Sequence, residues 1–537
     1  MWRPYPCCPH PNKTYSEECE TNSKEDICKI YHNQKLLTIN LILEEMALAI
    51  GFDQNILHHC SKQAFTRQVA QGSLQVQFMK ATSLSDNPRI PDPSLFNFSV
   101  DSGCVQEEAK RLPSVAECAA HLELLQAFRY IRAQIFSSKE LDDAFGIKPE
   151  NRTVFRKRRV YQGSSSSWVR EPVKLRDDTF EKRREEKWPL YLGLAASRFF
   201  YWIIAVEEEF GQPNMPDQSL PLPPIDVLMV WHALLLNPKW FRSFEKMELK
   251  HLSKVPFPWE QVHAAIDTNS ANWSFELSKR DQAWFHDKVR MHPDLFEFLT
   301  KGHKSSLVRN ELSKYGTNHY GGKQGGLNRK MLPEPSNANQ DSDFVELRFL
   351  DSCRAAASKN YTIEKLVDAV KRQSTFVDKM DRQLWIRSPA VEGTLTRGIT
   401  RYERFLKLFK LYPRTMLVPT LDIDLVWHTH QCSPSRYALV TMEIAGRFID
   451  HNDKLGTATL DPAFENTKAL YRIRFADEYR ICNCWDCESL RSAVRTKDYD
   501  IQTDVASVAF QAQSKVAHYR AVEIARQKGE KLLPVCR

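Results

Sequence analysis

Two short stretches hold residue types whose spacing could do chemistry. LDIDLVWHTHQCSPSRY, residues 421–437, brings two acids, two histidines, a tryptophan and a cysteine into seventeen positions. CNCWDCE, residues 482–488, places three thiols within six residues. Zinc takes about four ligands in a tetrahedron, with thiolate sulfur at about 2.3 Å and imidazole nitrogen at about 2.0–2.1 Å. Cys482, Cys484 and Cys487 are therefore candidate zinc ligands, with His430 or His428 as the fourth. C-x-C-x2-C is not the usual double C-x2-C zinc pattern, and three thiols without an ion is the competing reading. The nearby FIDHNDK, residues 448–454, adds Asp450, His451 and Asp453, either as ligand groups or as a polar helix end.

The first stretch has a twin. PPIDVLMVWHALLLNPKWF, residues 223–241, aligns without gaps on PTLDIDLVWHTHQCSPSRY, residues 419–437, pairing Asp226 with Asp422, Trp231 with Trp427, His232 with His428 and Pro238 with Pro434. Upstream, RFFYW from Arg198 resembles RYERF from Arg401, and the Pro-rich stretch 211–224 absorbs the difference in offset. Two copies of one unit is the architectural reading.

Each copy reads as helical. Residues 197–209 and 399–411 carry apolar side chains at three- and four-residue spacing. A motif helix follows near 224–236 and again near 420–431. Thr420 is the expected N-cap, and Asp422 sits in the first turn, where the helix dipole favours an acid. Asn237-Pro238 and Ser433-Pro434 read as the start of the next helix.

Comparing the copies separates scaffold from candidate chemistry. Asp422, Trp427 and His428 have counterparts, so packing and capping explain them. Asp424 and His430 stand where copy one has Leu228 and Leu234. Asp424 and His428 share a helix face at i and i+4, whereas His428 and His430 diverge by about 200°. A histidine on such a helix is more often a hydrogen-bonded core residue than a ligand. His430 is the better functional candidate, because the scaffold of copy one does without it.

The whole chain sets bounds on function. Its 537 residues, 42% hydrophobic and 26% charged, describe a globular protein, and a net charge of +8 does not demand nucleic acid. Thirteen cysteines, unevenly spaced, are not a disulfide scaffold. The opening residues lack a signal-like apolar run, and the apolar stretch 199–206 is short for a membrane span. The expected home is intracellular and cytoplasmic, with the basic run 156–159 as a nuclear-import alternative to a solvated basic face. There is no P-loop, no GxGxxG, no G-x-S-x-G and no H-E-x-x-H.

The fold expected is predominantly α, with two related multi-helix units. Residues 1–110 form a variable N-terminal region, 111–318 the first unit, 319–343 a Gly/Pro/Asn-rich linker, 344–500 the second unit with the cysteines, and 501–537 a C-terminal helix. The serine-rich stretch 161–168 reads as a further break, preceded by an amphipathic helix over 118–136.

The motifs PPIDVLMVWHALLLNP, VPTLDIDLVWHTHQ and CNCWDCE resemble the glycine-rich domain-containing protein-like family, long catalogued as a domain of unknown function, over about residues 118–495. The cysteine element resembles its fungal branch. The resemblance implies no catalytic residues. Plant members carry a glycine-rich tail, in places with a proposed RNA-binding segment. This chain has 18 glycines and ends in a charged helix, so RNA binding is not carried over. Two functional readings follow. One is an interaction or regulatory protein with protein partners and structural zinc in the second unit. The other is a metal-dependent enzyme using His428 or His430, Asp424 as acid or base, and the cysteines.

Overall fold

A computed structural model describes residues 90–98, 111–150, 152–163, 165–211, 220–245, 249, 251–270, 272–302, 305–321, 341–358, 360–451, 457–496 and 505–530. The expected region 1–110 thus lies outside the described residues apart from 90–98, as does most of the 319–343 linker.

The described chain is mostly helical. Helix α1, Val115–Ser137, begins at a reciprocal capping box: Ser114 Oγ accepts from the Glu117 N–H at 3.2 Å, and Glu117 accepts from the Ser114 N–H at 2.7 Å. It forms over the span expected for an amphipathic helix but is buried on more than one face. Its residues from Cys118 to Phe128 are all buried, because helices from both motif regions pack around it.

The serine-rich stretch is not an unstructured break. Strands β1, Arg152–Gln162, and β2, Ser165–Leu175, pair antiparallel in a ribbon whose turn uses Gly163 at φ +62°. Neither strand alternates apolar with charged residues, with Val154 beside Phe155 and Trp168 beside Val169, so the serine run reads as a loop.

Helix α2, Lys187–Phe210, is long and apolar enough to cross a membrane by length and composition, although the sequence reading judged its apolar stretch too short. Within this fold 78% of its most apolar stretch is buried against other helices, which accounts for the apolarity. The first motif helix, α3, Ile225–Leu235, packs against α2 and is followed by α4, Pro238–Glu245.

Helix α5, Tyr361–Gln383, starts at Asn360, whose side chain accepts from the Thr362 N–H at 2.9 Å, and stops at Leu384 in left-handed geometry, φ 48°. It lies against α1, α2 and α3, so it ties the two motif regions together. Then come α6, Val391–Leu411, the second motif helix α7, Leu421–Gln431, and α8, Pro434–Ile444. Both motif helices lie within a residue of the expected spans, and both prolines open the following helix as expected. Helix α9, Trp485–Thr496, carries the last of the three cysteines, and α10, Val505–Lys528, packs along it.

Each motif helix sets its tryptophan against an aromatic ring of the preceding helix. Trp231 packs on Trp202 of α2, ring centres 5.2 Å apart, and Trp427 packs on Phe405 of α6 at 5.6 Å. All four side chains are buried, as expected.

Candidate functional site

The motif acids are ion-paired inside the core. Arg198 Nε donates to Asp226 Oδ2 at 2.7 Å, and Arg401 Nε donates to Asp422 Oδ2 at 2.6 Å, with all four side chains buried. Asp422 was expected to act as a first-turn acid beside a Thr420 cap. Thr420 instead makes no side-chain cap, and its hydroxyl accepts from Arg401 at 3.2 Å. Burial raises the Asp226 carboxyl above its usual value despite Arg198. For Asp422 burial acts the same way, but the Arg401 charge and the Thr420 hydrogen bond outweigh it, and its pKa falls.

Arg401 also reaches the cysteine segment. It donates to the backbone oxygens of Glu478 at 3.1 Å and Tyr479 at 2.6 Å. Asn483, between two of the cysteines, donates to Asp422 Oδ1 at 3.3 Å, and its backbone oxygen accepts from the Trp385 indole at 2.7 Å. The link between motif and cysteines therefore runs through Arg401 and Asn483. Sequence reading had aligned Arg401 with Arg198 without assigning a role to either, and had given Asn483 none.

Cys482, Cys484 and Cys487 do converge, with all three sulfurs within 4.8 Å of one another. The segment is held by Arg491, which donates to the Cys482 backbone oxygen at 2.5 Å and to Glu488 at 2.7 Å. Hydrogen bonds with Cys482 and then Cys484, followed by burial, push the Cys487 thiol far above its ordinary value. Edges between sulfurs on one zinc are about 3.8 Å from the bond length, so the donor set fits the ion's size.

Among the described residues, no histidine joins these thiols. His430 is fully buried, its Nδ1 bonded to the Tyr402 hydroxyl at 2.9 Å and its ring edge-on to Tyr437 at 5.1 Å. Burial holds it well below its ordinary pKa, so it is neutral at pH 7. Among the described residues the candidate ligands form two separate groups rather than one shared by His430 or His428 with the cysteines, and His430 belongs to neither. The 200° divergence along the helix turns it into α6 and α8, away from the face His428 occupies.

The second group is Asp424, His428 and His451. His428 Nε2 lies 3.3 Å from His451 Nε2 and 3.4 Å from Asp424 Oδ1, and His451 Nε2 lies 3.7 Å from the same oxygen. The i, i+4 pairing of Asp424 with His428 was legible in sequence; His451 was noted only as a nearby ligand type.

His232, the twin of His428, has a different task. Thr429 Oγ1 donates to the Leu425 carbonyl at 2.8 Å and is hydrogen-bonded to His121 Nδ1 at 2.8 Å. His121 Nε2 is in turn hydrogen-bonded to His232 Nε2 at 2.9 Å. These two hydrogen bonds join α3 to α7 through α1. Burial drives both rings down, His232 to about 3, with neighbouring histidine charge adding to it. Nothing in the sequence marked His121 for this.

A buried carboxylate also escaped sequence reading. Glu123 on α1 pairs with His263 Nδ1 at 2.7 Å, and its pKa is raised to about 7, mainly by burial, against the pull of His263 and Arg387.

Comparison with known proteins gives the relationship. Residues 325–439 match the family described as glycine-rich domain-containing protein-like. The match covers α5 to α7 with the second motif and ends within α8, short of the cysteine segment and narrower than the span the sequence motifs implied. Glycine-rich domain-containing protein 1 of Arabidopsis thaliana is 32% identical over 147 residues, 26% of this chain and 17% of that protein. Glycine-rich domain-containing protein 2 of the same plant is 28% identical over 196 residues, 35% of this chain and 23% of that protein. The chain thus aligns with about a fifth of the length of the curated relatives it matches. No solved structure matches it.

Proposed function

We propose that this chain is an α-helical interaction protein, built on two copies of one helix pair and braced by structural zinc on Cys482, Cys484 and Cys487. The repeated Arg–Asp pairs and aromatic contacts support the duplication. The sulfur convergence supports the zinc. With the motif acids committed to buried arginines, the scaffold uses its most distinctive residues for packing.

The observation that carries the interaction reading is the β1–β2 ribbon. Its register puts Phe155, Lys157, Arg159 and Tyr161 on one face with Trp168, Arg170 and Lys174. Phe155, Tyr161 and Trp168 are 66%, 68% and 65% exposed, and no acid lies on that face. Arg159 sits over Tyr161 at 5.4 Å and Trp168 at 6.0 Å. The ribbon adds nothing to the core, and a lone hairpin gains little stability from its own pairing. Exposed aromatics beside Arg are the residue types that anchor protein interfaces. The cationic face fits an acidic protein partner.

The test is a titration of the full chain with fluorescent acidic peptides containing aromatic residues, against matched basic ones. Acidic peptides should bind, more weakly as salt rises, and the Trp168→Ala/Arg159→Glu double variant should lose at least about tenfold in affinity, or about 1.4 kcal/mol, with an unchanged melting temperature. Equal binding by wild type and variant would remove the ribbon as the partner surface. Preference for a single-stranded oligonucleotide over every acidic peptide would reassign it.

A further inference from the structure

Two pairs of facing imidazoles occur near the centre of this molecule, and they differ. The His121 and His232 Nε2 atoms are 2.9 Å apart, the length of an N–H···N hydrogen bond. The His428 and His451 Nε2 atoms are 3.3 Å apart, with Asp424 Oδ1 at 3.4 and 3.7 Å from them. A tetrahedral ion with nitrogen and oxygen ligands at about 2.0–2.1 Å has ligand–ligand edges of about 3.3–3.4 Å. The three donors therefore stand close to the edges of one coordination face.

Their surroundings suit an ion. The two rings are nearly perpendicular, at 88°, so their Nε2 lone pairs can aim at one point off the line between them. Phe376 packs on His428 at 4.4 Å and Trp427 on His451 at 4.9 Å, fixing both rings. His428 is buried, whereas the Asp424 side chain keeps 23% exposure, which leaves a route from solvent on the carboxylate side. Asp424 stands where the first copy has Leu228, and the corresponding His232 is spent on His121. Only the second copy can form this arrangement.

We infer that Asp424, His428 and His451 form a binding site for a divalent transition-metal ion, distinct from the cysteine group. Two imidazoles and a carboxylate are borderline-hard donors that suit zinc first, and three protein ligands leave a fourth position for water or an exogenous ligand. This inference does not rest on the zinc proposed at the thiols.

The experiment is cobalt(II) and zinc titration of untagged full-length protein, wild type, Asp424→Asn and His451→Gln. Cobalt at this site shows only weak d–d bands, whereas cobalt on the thiols adds intense sulfur-to-metal charge transfer. Each variant should lose about one zinc equivalent per chain together with the nitrogen/oxygen d–d bands, while any sulfur band remains unchanged. His451 lies in the segment after α8, so its replacement leaves the helix intact, and Asp424→Asn is a second, nearly isosteric check. Folded variants that bind as many equivalents as wild type, with the same d–d spectrum, overturn the site. A thiol site that fails to bind changes the starting count but not this difference.

Discussion

Acidification from pH 7 to about 4.5 should strongly destabilise this protein, with the steepest loss of stability between about pH 6 and 4.5. His121, His232 and His430 are buried and neutral, with folded pKa values pushed below their ordinary 6.5, His232 to about 3. Between the folded and unfolded values the unfolded chain binds a proton that the native state refuses, so stability rises with pH and is lost as pH falls below the unfolded value. Each such histidine contributes about 1.4 kcal/mol per pH unit in that window. Glu123 opposes them. Its pKa is raised to about 7 from 4.5, so between those values the native state holds the extra proton and gains stability on acidification. Three histidines against one glutamate leave a net loss of about 2–3 kcal/mol per pH unit, with the raised Asp226 carboxyl opposing at the acid end, a large fraction of the stability of a typical domain over that window. Thermal melts at closely spaced pH values check this. His232→Gln should flatten the curve, and a melting temperature constant from pH 7 to 5 would refute the assignment of buried neutral rings.

Replacing Arg401 by leucine should cost about 3–5 kcal/mol, because it leaves the Asp422 carboxylate buried without its cation. The guanidinium also holds the Glu478 and Tyr479 carbonyls and touches Thr420, so its loss should loosen the segment that leads to the cysteines. Alkylation of Cys482 and Cys487, both partly exposed, should accelerate in Arg401→Leu. Arg198→Leu should destabilise comparably through Asp226 but leave alkylation of these cysteines unchanged, since that pair has no cysteine segment beside it. Adding Asp422→Leu to Arg401→Leu should recover part of the loss by removing the stranded charge. A single variant as stable as wild type would show that the pair contributes only a surface-like amount.

What sequence disclosed and what it withheld divide along contact range. The motif helices, their following prolines, the burial of Trp231 and Trp427, and the facing of Asp424 and His428 are set by periodicity and local chemistry, and these were legible. The convergence of Cys482, Cys484 and Cys487 was also local, because six residues leading into a helix can turn three side chains to one point. His121 meets His232 and Thr429 across 111 and 308 residues, and no periodicity encodes such a meeting. The same holds for the Arg401 contacts to the cysteine segment, 77 and 78 residues away. The ribbon was missed for another reason. Its strands carry their aromatic and basic residues into solvent, so the in–out hydrophobicity contrast that marks a strand is absent.

The central claim is the one proposed for the cysteines: the motif tryptophans and Arg–Asp pairs pack the scaffold, and an ion on the three thiols braces it. Its most direct test is the near-ultraviolet spectrum of the cobalt(II)-loaded full chain beside that of Cys484→Ser. The account predicts an intense sulfur-to-cobalt charge-transfer band in wild type that disappears in Cys484→Ser, together with a lower melting temperature for the variant. A wild-type protein that binds cobalt with no thiolate band, or a Cys484→Ser protein with the same band and the same melting temperature, would contradict it.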